Sequence, residues 1–143
     1  MIDRAQAQRQ LDERPFSAIW EYRVLDVAHG YCRLEVPYNP RWDRPGDVLA
    51  GPLFVAAADT AMWVAVMTRA AEVMAVTANL NSAFLAAGRQ ETVTCEARVL
   101  RFGRRLVYGV AECRGADGRV LSHHTSRTPG RLERPSGKPA GTA

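Results

Sequence analysis

The run Leu53–Met67, LFVAAADTAMWVAVM, is interrupted only by Asp59 and Thr60, and it constrains the rest of the chain more than any other segment. Its alanine-rich, strand-poor composition predicts a helix begun by Gly51, with Pro52 at its first position, where a missing N–H does no harm. At about 1.5 Å per residue the run falls short of the ~30 Å hydrocarbon layer, so it reads as a buried helix and not a membrane span. A helix with no polar face cannot lie on a flat sheet with its back to water, because a large apolar patch would stay exposed. It has to be enclosed.

The segments around it are strand-like. WEYRVLDV and YCRLEV, within Ala18 to Val36, are separated at His29–Gly30 and read as a hairpin, with Cys32, Leu34 and Val36 alternating with Arg33 and Glu35. Residues 37–50, with three prolines and a glycine and no periodicity, read as an ordered loop or lid. Four strand-like segments follow at 74–84, 91–101, 104–114 and 119–128. In the second of these Val93, Cys95, Ala97 and Val99 share one face. Gly88, Phe102–Gly103 and Gly115–Gly118 supply turns, which predicts an antiparallel meander. One long antiparallel sheet curled around one central helix, with a second copy over what remains, meets the need for enclosure. This is the α+β hotdog arrangement. Residues 1–15 are expected as an N-terminal surface helix or arm ended by Pro15, 16–128 as the domain, and 129–143 as a disordered tail rich in Pro, Gly and charge.

Composition excludes several classes. With 143 residues, 47% of them hydrophobic, one domain can fold without disulfide or metal staples. Cys32, Cys95 and Cys113 are odd in number and lie in alternating segments, so buried free thiols are expected. The N-terminus is polar where a secretory signal needs an apolar run, and a cytoplasmic protein is expected. The net charge of +4 does not argue for nucleic acid, because Arg127, Arg131, Arg134 and Lys138 against Glu133 place +3 of it in residues 127–143. His29, His123 and His124 have no metal-ligand company, and no Ser-His-Asp or Cys-His constellation can be read.

The chemistry concentrates on Asp59. A carboxylate among Ala56, Ala57, Ala58, Ala61 and Met62 is costly to desolvate unless it is partnered or faces a cavity, and such an acid is a functional candidate. Attack on an activated carbonyl needs a base or nucleophile on one side and hydrogen-bond donors for the oxyanion on the other. Asp59 could be the first, and the N–H of Gly51 at the helix start the second. Eight residues separate them, about 12 Å of helix axis, so one carbonyl cannot touch both. The geometry closes if Gly51 of one subunit faces Asp59 of its partner across a two-fold axis.

The runs RPGDVLAGPLFVAAADTAMWVAV, AVTANLNSAFLAAG and ARVLRFGRRLVYGVAECRGADGRVLSHHTSRT resemble the phenylacetate-degradation (PaaI-like) type of hotdog acyl-CoA thioesterase, over about residues 18–128. Where that family opens its helix with His-Gly-Gly this chain has Ala50-Gly51-Pro52, and an Asn often found six residues earlier is Arg44. The resemblance implies Asp59 as general base or nucleophile, and at Thr77 a hydroxyl that positions water or the acid. Asn81 follows Thr77 by four residues on the same strand face and is a hydrogen-bonding candidate for substrate. Arg44, Arg104 and Arg105 are candidates for gripping the coenzyme A phosphates. Trp63 and Phe84, with Met62 and Phe54, are candidates for the pocket floor. No metal and no redox cofactor is implied; the partners are an acyl-CoA substrate and a homodimer, with pairing of dimers into a homotetramer left open. The departures at the helix opening motivate a second reading, a non-catalytic acyl-CoA or acyl-carrier-protein binding module. A hotdog dehydratase ranks last, because it wants a histidine near the central helix.

Overall fold

A 17-residue helix, α3 (Gly51–Met67), occupies the apolar run in the computed structural model, which describes residues 1–69 and 76–129. Six strands form one antiparallel sheet against it: β1 (Arg23–Ala28), β2 (Tyr31–Val36), β5 (Asn79–Phe84), β6 (Val93–Phe102), β7 (Leu106–Arg114) and β8 (Val120–Pro129). Their order across the sheet is β1-β2-β6-β7-β8-β5. This is the hotdog architecture expected from the sequence. Leu53, Phe54, Ala57, Ala58, Ala61, Met62, Val64 and Ala65 of α3 are buried with Cys32, Leu34, Val93, Cys95 and Ala97 of the sheet. Close approach of helix and sheet is possible because β7 carries Gly109, where an added Cβ would lie 2.5 Å from the Met62 methyl. At the far end of α3, Thr68 Oγ1 donates to Ala65 O at 2.7 Å and accepts the Gly30 N–H at 2.8 Å, tying the helix to the β1–β2 turn.

The meander is only partly as expected. β6, β7 and β8 are consecutive neighbours, but β5 lies beside β8 at the far edge, and β6 inserts next to β2. Gly88 is accordingly not a hairpin turn: its carbonyl accepts the Leu49 N–H at 2.8 Å, and an added Cβ would meet Leu49 at 2.9 Å. The stretch 37–50 also holds more structure than a loop. A 3-10 turn (Pro40–Trp42) precedes two short paired strands, β3 (Asp43–Arg44) and β4 (Val48–Leu49), which turn through Gly46 and Asp47, both at positive φ.

The N-terminal arm is two helices, α1 (Arg4–Asp12) and α2 (Pro15–Ala18). Asp3 and Gln6 form a reciprocal capping box that starts α1. Pro15 opens α2 instead of closing the arm, in keeping with the preference of proline for a first helical position. Ala7 and Leu11, four apart on α1, are buried with Ile2. The side-chain amide of Gln8 donates to Tyr22 O and accepts the Val24 N–H, each at 2.7 Å, so it pairs with the outer edge of β1 much as a further strand would. Of the expected tail, 130–143 lies outside the described residues, and so do 74 and 75 of the first strand after the helix.

Candidate active site

The sheet does not enclose α3 completely. Gly51, Pro52, Val55, Ala56, Asp59, Thr60 and Trp63, spaced as one helix face, remain partly or fully exposed in the single chain. Asp59 is therefore not embedded as the sequence suggested; it is solvent-exposed on the open side of the helix. That face is the floor of a groove of about 940 Å³. One wall is Thr77 to Leu80 with Phe84, and the other is Phe16 and Trp20 of the arm.

Three sequence candidates meet in this groove. Thr77 Oγ1 donates to Asp59 Oδ1 at 2.7 Å, and Gly51 lies at the other end of the same groove. The Ala50 cap is extended and makes no side-chain hydrogen bond, so no side chain satisfies the first amides of α3. Phe84 stands beside Gly51, edge-on to both Phe54 and His124, and also lines a neighbouring cavity of about 390 Å³ whose rim carries Arg44. Trp63, one turn beyond Asp59, lines a second groove of about 460 Å³ with Leu11, Arg14 and Val76.

The other candidates sit elsewhere. Asn81 is exposed on β5, where its amide donates to Asn79 Oδ1 at 2.8 Å, and it borders none of these three cavities. Met62 belongs to the core and not to a pocket floor. Arg104 and Arg105 are exposed on the β6–β7 turn. The adjacent Phe102 takes a cation–π contact at 4.2 Å from Arg69, just past the C-terminus of α3, so this turn is at the opposite end of the helix from Gly51.

Beneath Phe84 lies a buried polar network. His124 is fully buried, with Nδ1 at 2.7 Å from Ser82 Oγ and Nε2 at 2.8 Å from Ser122 Oγ, while His123 faces the other side of the sheet toward Glu112. The three cysteines are free and buried. The Cys95 thiol is pushed well up by its hydrogen bond to Cys113 and by burial, and burial pushes Cys32 up to about 12. Burial likewise raises the Tyr22 phenol, next to Thr60. Among the described residues no cluster of His, Cys, Asp or Glu could hold a metal ion, and no helix is long and apolar enough to cross a membrane.

Sequence reasoning missed Phe16, Trp20 and Thr60 as groove residues. The signal for the first two was available: aromatic residues close together after Pro15 in an otherwise polar segment.

The profile of the thioesterase superfamily matches residues 46–122, from the approach to α3 through the start of β8, more than half of the chain. The chain belongs to that superfamily. A curated relative from Saccharolobus solfataricus, named "Putative esterase SSO2140", is 29% identical over 100 residues, covering 70% of this chain and 71% of its own. Among solved structures, zebra fish thioesterase superfamily member 2 aligns with a TM-score of 0.83 at 18% identity, covering 93% of this chain and all of its own. The PaaI protein of the E. coli phenylacetic acid degradation operon aligns with a TM-score of 0.78 at 14% identity, covering 88% and 94%. At these identities the structural likenesses speak for the hotdog fold, and superfamily membership speaks for a hydrolase of the thioesterase kind.

Proposed function

We propose that the protein hydrolyses an acyl-CoA thioester to the free acid and coenzyme A, in the manner of the PaaI-like branch. The observation that carries this reading is the Asp59–Thr77 pair at 2.7 Å on an apolar groove that also contains Gly51. An exposed carboxylate on a mostly apolar helix face is not required by packing, which marks it as a functional candidate. Thr77 engages one of its oxygens, and among the described residues the other accepts no hydrogen bond.

In this reading Asp59 takes a proton from water attacking the thioester carbonyl, or attacks it directly. The tetrahedral oxyanion needs a donor on the opposite side. Gly51 of the same chain is about 12 Å along the helix, out of reach. Gly51 of the partner subunit supplies the N–H if two open α3 faces approach antiparallel across a two-fold axis, with the groove left between them for the acyl group. On the base route the carbon–sulfur bond then breaks and the proton held by Asp59 passes to the departing thiolate. On the nucleophilic route the thiolate leaves as Asp59 forms a mixed anhydride, which water hydrolyses to the free acid and the restored carboxylate, the proton released going to the thiolate. Phe84 and Trp63 contact the acyl group, while Arg44, and Arg104 and Arg105 from another subunit, take the phosphates of coenzyme A. Asn81 has an interface or substrate hydrogen-bonding role. A cytoplasmic location fits a coenzyme A substrate.

The decisive comparison is Asp59→Asn against wild type on a panel of acyl-CoA esters with a thiol-detecting reagent. Loss of about 10³-fold in kcat with an unchanged melting profile is expected. Full activity in that variant would sink the reading. One observation favours the alternative, a non-catalytic acyl-CoA or acyl-carrier-protein binding module: Pro52, second in α3, has no N–H to offer, so the helix opening presents fewer donors. Saturable binding of acyl-CoA by calorimetry without turnover in the wild type would decide for it.

A further inference from the structure

The N-terminal arm is held in place firmly for a segment so polar. Gln8 pairs with the β1 backbone, Ile2, Ala7 and Leu11 are buried, and Ser17 Oγ donates to Leu11 O at 2.7 Å. Beyond α2, Trp20 stacks on Trp42 with ring centroids 4.5 Å apart. Phe16, by contrast, is 73% exposed, so none of this anchoring uses its ring. The ring nevertheless lines both the groove running toward Gly51 and the groove running toward Trp63. The other residues common to the two are Asp59, Thr60 and Thr77. Phe16 thus stands at the boundary between the grooves, beside the acid and its hydroxyl partner.

We infer that Phe16 is a specificity-determining residue: its ring limits how much bulk an acyl group can carry on the carbon next to the reacting carbonyl. The inference rests on the thioesterase reading for the position of that carbonyl, at Asp59. The groove offers an apolar acyl chain Val55 and Ala56 on the helix side and Leu80 and Trp20 on the walls, with no charged side chain besides Asp59. A straight chain can lie along it. A branch at the first carbon would point from the carbonyl into the space that the Phe16 ring fills, so unbranched acyl groups are the preferred class. Because the ring is mostly exposed, its removal leaves no cavity in the core.

The test compares wild type, Phe16→Ala and Phe16→Trp in two readouts. The first is kcat/KM for butyryl-, isobutyryl- and pivaloyl-CoA. The second is calorimetric binding of S-butyl-, S-isobutyl- and S-neopentyl-CoA, thioethers that cannot be hydrolysed. In Phe16→Ala the preference for the straight over the branched ligand should fall about tenfold in both readouts, the usual size of one-carbon discrimination in an apolar pocket, and Phe16→Trp should sharpen it. An unchanged preference in Phe16→Ala overturns the inference, as does a failure of all three thioethers to bind the wild type. Should wild type bind the thioethers and turn over no ester, the catalytic reading falls, and the thioether preference still decides the role of Phe16.

Discussion

At the scale of single residues, the site is defined by one hydrogen bond. Asp59 was legible in the sequence because it is the only charged residue in the run from Leu53 to Met67. Its surroundings were not legible, because a linear run cannot tell which helix face a sheet will cover. Thr77 was drawn in by family likeness, and its hydroxyl is within 2.7 Å of the carboxylate. A hydrogen bond to a charged group contributes about 1.5–3 kcal/mol. Thr77→Val leaves the carboxylate without this positioning contact and should lower kcat/KM about tenfold or more, while Thr77→Ser, which keeps the donor, should stay close to wild type; steady-state kinetics on one acyl-CoA ester checks this. Phe16 escaped the sequence reading although its place beside Trp20 after Pro15 marked it, because an aromatic signal in a polar segment does not say which groove the ring will line.

At the scale of elements, helix α3 came through with its ends nearly as read, since Gly51, Pro52 and the end of the apolar run are local signals. Strand order did not. β5 crosses to the far edge and Gly88 serves as a packing point under Leu49, and such non-local pairing leaves no mark in a turn signal. The arm shows a similar limit: Gln8 reads as one more polar residue, yet its amide answers two backbone groups of β1. Gln8→Ala leaves Tyr22 O and the Val24 N–H without that partner. The expected cost is about 1–3 kcal/mol, seen as a lower urea midpoint with an unchanged slope. A variant as stable as wild type would mean that water replaces the amide without loss.

At the scale of the whole molecule, nothing among the described residues of a single chain covers the open face of α3 or the outer edge of β5. Val76, Phe84 and Leu85, at the two ends of β5, are exposed apolar side chains next to that face. The proposed dimer would bury them. Sedimentation velocity should give at least twice the 15.8 kDa chain mass for wild type. The double variant Val76→Asp, Leu85→Asp should give the single-chain mass and lose activity, because each site would lack the partner's amide. A monomeric wild type with full turnover would remove the need for a shared site. The two margins of the sheet are not equivalent. On the β1 side Gln8 takes up Tyr22 O and the Val24 N–H at the start of the edge, whereas among the described residues the outer edge of β5 carries no such partner, so sheet pairing by another molecule is favoured along β5. Two copies joined through β5 would leave only β1 margins at either end, each interrupted at Tyr22 and Val24 by Gln8, an arrangement that works against end-to-end polymerisation into fibres.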